Sequence, residues 1–133
     1  MITIKAMVSS DLDLIRKHLI PDFKPLDSEE YIVAKNDEGI LIGFAGIWKS
    51  VDDIHITNIA VRNNFKRQGI GSLLLEKLLE YCIEYGTKAI TLEVNHTNIP
   101  AIELYSKYGF EKVGTRKKYY NNIDDAIIMT LEL

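Results

Sequence analysis

The residues best suited to chemistry are Lys66-Arg67-Gln68-Gly69-Ile70-Gly71, a basic turn carrying two glycines between the β-branched run Ile54 to Val61 and a leucine-rich stretch. A strand feeding a helix at this point leaves backbone N–H groups with no intrahelical partner, and the helix dipole adds partial positive charge there. Phosphate suits such a mouth. Gly69 and Gly71 put no side chain in the way of a pyrophosphate, and Lys66 and Arg67 add charge at the rim. The same residues also read as a plain tight turn before a helix. A dinucleotide fingerprint, G-x-G-x-x-G, would need glycine where Leu74 stands, which disfavours a dinucleotide fold. Other reactive groups are sparse. The single cysteine, Cys82, cannot form an intrachain disulfide, and His18, His55 and His96 lack metal-ligand spacing, so no structural metal site is expected. Cys82 lies on an apolar helix face and reads as a small buried hydrophobe rather than an acyl-accepting nucleophile.

The elements that must position this turn follow from hydrophobic periodicity. Ile2, Ile4 and Ala6 alternate as a first strand, and Ser9 and Ser10 precede an amphipathic helix that reaches Leu19. Pro21 to Asp27 is a loop. Tyr31–Ala34 and Ile40–Trp48 read as a hairpin around Asn36-Asp37-Glu38-Gly39. Ile54–Val61 is the next strand, followed by the polar segment Arg62 to Gln68 and then the longest helix, with Ile70, Leu74, Leu78 and Cys82 on one face and an end near Gly86. Ala89–Val94 is a strand, and Asn98-Ile99-Pro100 opens a helix stopping at Gly109. Glu111–Arg116 and Ala126–Leu131 form a final antiparallel pair. The order β-α-β-β-β-α-β-α-β-β predicts an α/β fold, a mixed and mostly antiparallel sheet with helices on its faces.

Composition bounds what such a body can do. The chain has 133 residues, 47% hydrophobic and 26% charged, with no internal repeat or linker, which predicts a single domain over 1–133. Sixteen Lys and Arg against nineteen Asp and Glu give a net charge of −3, so nucleic-acid binding through a broad cationic face is not expected. The chain's start has no signal-peptide pattern and no apolar run reaches the roughly 20 residues of a membrane span, so a cytoplasmic protein without membrane contact is expected.

Several spaced motifs resemble the GCN5-related N-acetyltransferase superfamily, and within it the bacterial ribosomal-protein-alanine N-acetyltransferases. These are Asn58-Ile59-Ala60-Val61, the turn Arg67-Gln68-Gly69-Ile70-Gly71, Leu92-Glu93-Val94, Asn98, Ala101-Ile102-Glu103-Leu104-Tyr105, Tyr108-Gly109-Phe110, Arg116, Tyr119-Tyr120 and Asp125-Ala126-Ile127-Ile128-Met129. The resemblance implies about seven strands with splayed central strands, Ile54–Val61 and Ala89–Val94, and an acetyl-CoA-dependent transferase with no metal. It places the pyrophosphate on Lys66, Arg67, Gln68, Gly69, Ile70 and Gly71. The pantetheine arm would lie along the backbone of Ile59, Ala60 and Val61, with Asn98 and Tyr105 also meeting the cofactor. Glu93 is implied as the base that takes a proton from the amine, directly or through water. Tyr105 is implied as the acid for the departing thiolate, and a backbone N–H near Val61 as the partner of the thioester oxygen. Tyr119 and Tyr120 resemble the paired tyrosines that hold a substrate's N-terminal backbone.

Direct, sequential acetyl transfer to the α-amino group of a protein, with an N-terminal alanine of a ribosomal protein as first candidate, is the implied reaction. A monomer or weak homodimer is expected. Taken without the resemblance, Glu93 also reads as an exposed strand carboxylate, Tyr105 as core, Tyr119 and Tyr120 as a turn lying on the sheet, and Arg116, Lys117 and Lys118 as a solvated rim. The chain departs from the superfamily at Lys66, where Gln or Arg is usual, and in the short segment Pro21 to Tyr31, which helps shape the acceptor slot. The rival readings are an acetyltransferase for a small amine or lysine side chain, and a CoA-binding sensor without catalysis.

Overall fold

The computed structural model describes all residues, 1–133. Strands β1 (Thr3–Ala6), β2 (Glu29–Lys35), β3 (Leu41–Lys49), β4 (Asp53–Val61), β5 (Ala89–Asn95), β6 (Glu111–Tyr120) and β7 (Asp124–Glu132) form one sheet in the order β1-β2-β3-β4-β5-β7-β6. Helix α1 (Asp11–His18) follows β1, α2 (Ile70–Tyr85) joins β4 to β5, and α3 (Ile99–Lys107) joins β5 to β6. A helical crossover returns the chain in the same direction, so β4 and β5 are parallel and every other pair is antiparallel.

Alternation decides the faces. On β4 and β5, Ile54, Ile56, Ile90, Leu92 and Val94 are buried beneath Ile70, Leu74, Leu75, Leu78 and Cys82 of α2 and Tyr105 of α3. Across the sheet Ile15 of α1 meets Phe23, Val33, Leu41 and Phe44 in a smaller cluster. Ser10 occupies the helix-capping position of α1 but makes no side-chain cap bond. Asp11 is tied there instead, accepting from the Val8 N–H at 2.9 Å and from Lys35 Nζ at 2.8 Å while almost fully buried.

The central strands separate partway along. They are paired only from Asp53–Ala89 to Ile56–Leu92, and beyond that point neither bonds the other. A bulge marks the place: Gly46 faces Asn58 and Ile47 faces Ile56, leaving Thr57 surplus and bending β4. Gly46 is required at this bend, because a Cβ there would lie 2.7 Å from the Tyr31 ring and 2.9 Å from Thr57 Oγ1. At the far edge, β6 and β7 run longer than the expected Glu111–Arg116 and Ala126–Leu131, closing in a turn where Asn121 and Asn122 have φ of +53° and +58°. Two consecutive left-handed residues define the type I′ turn that asparagine tolerates and that matches hairpin twist.

Candidate functional site

The mouth of α2 is built by its own backbone. The first bond into the helix runs from the Leu73 N–H to the Gly69 carbonyl, so the N–H groups of Ile70, Gly71 and Ser72 have no helical partner. Gly69 caps the helix at φ +79°, and a Cβ there would meet nothing within 4 Å. Arg67 also has a positive φ, +65°, an alternation that turns successive N–H groups toward one concavity. Asn98 caps α3 by accepting from the Ala101 N–H at 3.3 Å.

Two cavities meet where β4 and β5 part. The larger, about 660 Å³, is lined by Ile59, Ala60, Val61, Lys66, Arg67, Gly69, Ile70, Gly71, Asn98 and Tyr105, with Asn63 and Ser72 as members not singled out from the sequence. Gln68 is exposed and does not line it. The smaller, about 330 Å³, is lined by Thr57, Asn58, Leu92, Glu93, Val94, Asn95 and Tyr120. Ile59, Asn98, Ala101 and Tyr105 border both. Groove and slot therefore share a wall. A third cavity, about 430 Å³, lies between α2 and β2, and no candidate residue lines it.

Glu93 stands in the slot with its side chain 15% exposed. Its Oε1 lies 3.5 Å from Arg116 Nη2, and its Oε2 is buried with no partner. Such an orphaned oxygen is costly unless something satisfies it. Tyr105 is buried, its ring edge-on to Phe110 at 5.8 Å, and burial lifts its phenol pKa to about 12. Tyr120 is raised as well, by burial and then by the charge of Glu93. Tyr119 is half exposed and lines neither cavity; it meets Tyr120 edge-to-face at 5.1 Å and lies under the Arg116 guanidinium at 5.5 Å. His55 faces Thr91, with Nδ1 and Oγ1 2.8 Å apart, and burial outweighs the attraction of Glu93 to lower its pKa. Burial raises the Cys82 thiol to about 11, leaving it protonated at neutral pH. No group of three or more His, Cys, Asp or Glu is arranged to hold a metal ion, and no helix is long and apolar enough to cross a membrane.

With this geometry in place, the profile of the acetyltransferase (GNAT) family matches residues 7–110. The chain belongs to the GNAT acetyltransferase family. It is 33% identical over 144 aligned positions to the [ribosomal protein bS18]-alanine N-acetyltransferase of Escherichia coli K12, covering 98% of this chain and 97% of the relative. Among solved structures, the ribosomal-protein-S18-alanine N-acetyltransferase from Escherichia coli superposes with a TM-score of 0.88 at 29% identity, over 99% of this chain and 94% of that one. A GNAT family acetyltransferase from Elizabethkingia anophelis, solved with acetyl-CoA bound, superposes with a TM-score of 0.79 at 26% identity over 99% and 98%. Family and fold make the chain an N-acetyltransferase, and the parted β4 and β5 are the splayed pair that the GNAT fold implies.

Proposed function

We propose that this acetyltransferase, a single domain over residues 1–133, transfers acetyl from acetyl-CoA to the N-terminal α-amino group of a protein, a ribosomal protein beginning with alanine being the first candidate. The observation that carries the proposal is the shared wall: Tyr105 borders a groove ending in free amide N–H groups and a slot holding the partnerless Glu93 oxygen. The activity named for the Escherichia coli relative supports the choice of acceptor.

The residues present fit the donor. The open backbone of the α2 mouth suits a pyrophosphate, with Lys66 and Arg67 adding charge, and a groove of about 660 Å³ falls in the range of cofactor clefts. The edge of β4 from Ile59 to Val61, which β5 leaves unpaired, suits the amide-bearing pantetheine arm. When bound, acetyl-CoA supplies an activated carbonyl whose sulfur leaves as a thiolate.

The chain's own residues manage the protons. An α-amine has a reference pKa near 8 and is mostly protonated at neutral pH, so Glu93 Oε2 first binds the ammonium and then takes one proton, directly or through water. The freed lone pair forms the C–N bond as the C–S bond breaks. Tyr105, protonated throughout the neutral range, donates a hydrogen bond to the departing sulfur. Full proton transfer from a phenol at about 12 to a thiolate with a reference pKa near 8.5 runs uphill. The acylated nitrogen then sheds its remaining excess proton, which neutralises the thiolate, and Glu93 releases to solvent the proton it took. Tyr120 lines the slot where the acceptor's backbone would lie. A ribosomal acceptor places the reaction in the cytoplasm.

A CoA-release assay over alanine-starting peptides, lysine peptides blocked at the N-terminus and small amines tests the reading. The alanine-starting peptides are expected to give the highest kcat/KM, with acetyl on the α-nitrogen by mass spectrometry. Faster turnover of lysine or a small amine would move the acceptor to that class, and acetyl-CoA binding with no turnover of any amine would make the domain a sensor.

A further inference from the structure

Besides a one-residue bulge at Val113, the β6–β7 hairpin holds an irregularity larger than any other in the sheet. Arg116 pairs with Ala126 and Tyr120 with Asp124, so Lys117, Lys118 and Tyr119 all stand opposite Asp125. Three residues against one leave two surplus, and the loop they make includes Lys118 at φ +51°, a conformation that costs a non-glycine residue free energy. Something must hold it. Asp125 Oδ1 accepts the Lys118 N–H at 2.8 Å, and Oδ2 lies 3.3 Å from Lys117 Nζ. The Lys118 N–H above all, with Lys117 beside it, holds the carboxyl below its ordinary pKa, so it is ionised at neutral pH.

The same stretch is moored to the strand that carries Glu93. The Asp125 carbonyl accepts the His96 N–H at 2.9 Å, and Asp124 Oδ2 accepts from Asn95 Nδ2 at 3.1 Å. An unbroken ladder would put Lys118 opposite Asp124; the bulge puts Tyr120 there, two residues or about 7 Å of strand nearer the slot.

We propose that Asp125 is a positioning residue for the acceptor: by clasping the backbone of Lys118 it fixes the bulge that sets Tyr120 into the slot beside Glu93. The proposal rests on the reading of Tyr120 as part of the acceptor site. Asp125 itself lines neither the groove nor the slot. Its loss therefore acts on the acceptor and leaves the donor site alone.

Initial-rate kinetics with an alanine-starting peptide test this. Asp125→Ala is expected to raise KM for the peptide about tenfold, the scale of one lost charge-assisted hydrogen bond, with KM for acetyl-CoA unchanged. Asp125→Asn keeps an oxygen for the Lys118 N–H and is expected to recover most of that loss. Tyr120→Ala alone is expected to raise the peptide KM, and adding Asp125→Ala to it is expected to change little further. A peptide KM unmoved by Asp125→Ala but raised by Tyr120→Ala overturns the positioning role and leaves the acceptor site standing. A peptide KM unmoved by either variant removes Tyr120 from the acceptor site and the proposal with it. A rise in both KM values together, unrescued by Asp125→Asn, marks a merely structural residue. Should Asp125→Ala fold too poorly to assay, Asp125→Ser, too short to clasp Lys118, is read against the same outcomes.

Discussion

Glu93 and Tyr105 stand in opposite electrostatic situations within one small region. Glu93 keeps a buried oxygen without a partner, an arrangement that costs about 1–3 kcal/mol unless an ammonium completes it. Tyr105 is held neutral by burial, which suits a hydrogen-bond donor to a sulfur that is gaining charge. Glu93→Gln is expected to lower kcat by about 100-fold or more, and Tyr105→Phe to lower it less, with acetyl-CoA affinity kept in both. With the Tyr105 pKa raised to about 12, its protonated form persists as pH rises, so kcat should show no alkaline fall from Tyr105 between pH 7 and pH 10. Stopped-flow CoA release across that range checks this; wild-type rates in both variants would remove the assignment. The types and positions of these residues could be read from the sequence, since a carboxylate flanked by Leu92 and Val94 already suggests a strand with one buried face. The Arg116 contact could not, because Arg116 and Glu93 lie on strands that only β7 brings together.

The elements were legible where periodicity or turn chemistry marked them. The leucine face of α2, its glycine ends and the alternation of β5 are local signals, and local signals survive in a single sequence. The bulges at Thr57 and at Lys117 to Tyr119 are set by pairing register, which no single segment encodes. The asparagine pair Asn121-Asn122 was a usable sign that β6 reaches Tyr120 and β7 starts at Asp124. The start of α1 depended on a distant residue, since Asp11 is held by Lys35 as well as by Val8. Burial pushes the Asp11 carboxyl pKa up, but Lys35 and the Val8 N–H together bring it below its ordinary value. A lowered carboxylate contributes stability at pH values above its unfolded pKa, near 3.9, and loses it as pH falls through the folded value. Lys35→Met, which strands a buried carboxylate, is expected to cost about 3 kcal/mol in urea melts at pH 7 and less near pH 3, because with Lys35 gone burial favours the protonated carboxyl. An equal cost at both pH values would show that the ion pair does not fasten α1 to β2.

At the scale of the molecule, the fold is a device for parting two parallel strands. The apolar faces of α2 and α3 pack on the sheet, β4 and β5 stay paired from Asp53 and Ala89 to Ile56 and Leu92, and the bulge bends β4 away beyond that point. The gap borders both the groove and the slot, and on the proposed reading donor and acceptor would meet at Tyr105, which lines both. The free amide groups of Ile70, Gly71 and Ser72 and the unpaired edge of β4 border that groove, and they are the features to which donor binding is proposed. Backbone amide NMR during an acetyl-CoA titration tests them most directly. The account predicts the largest shifts at Gly69 to Ser72 and at Ile59 to Val61. Shifts confined to the cavity between α2 and β2, around Ile32, Leu78 and Tyr81, would contradict it.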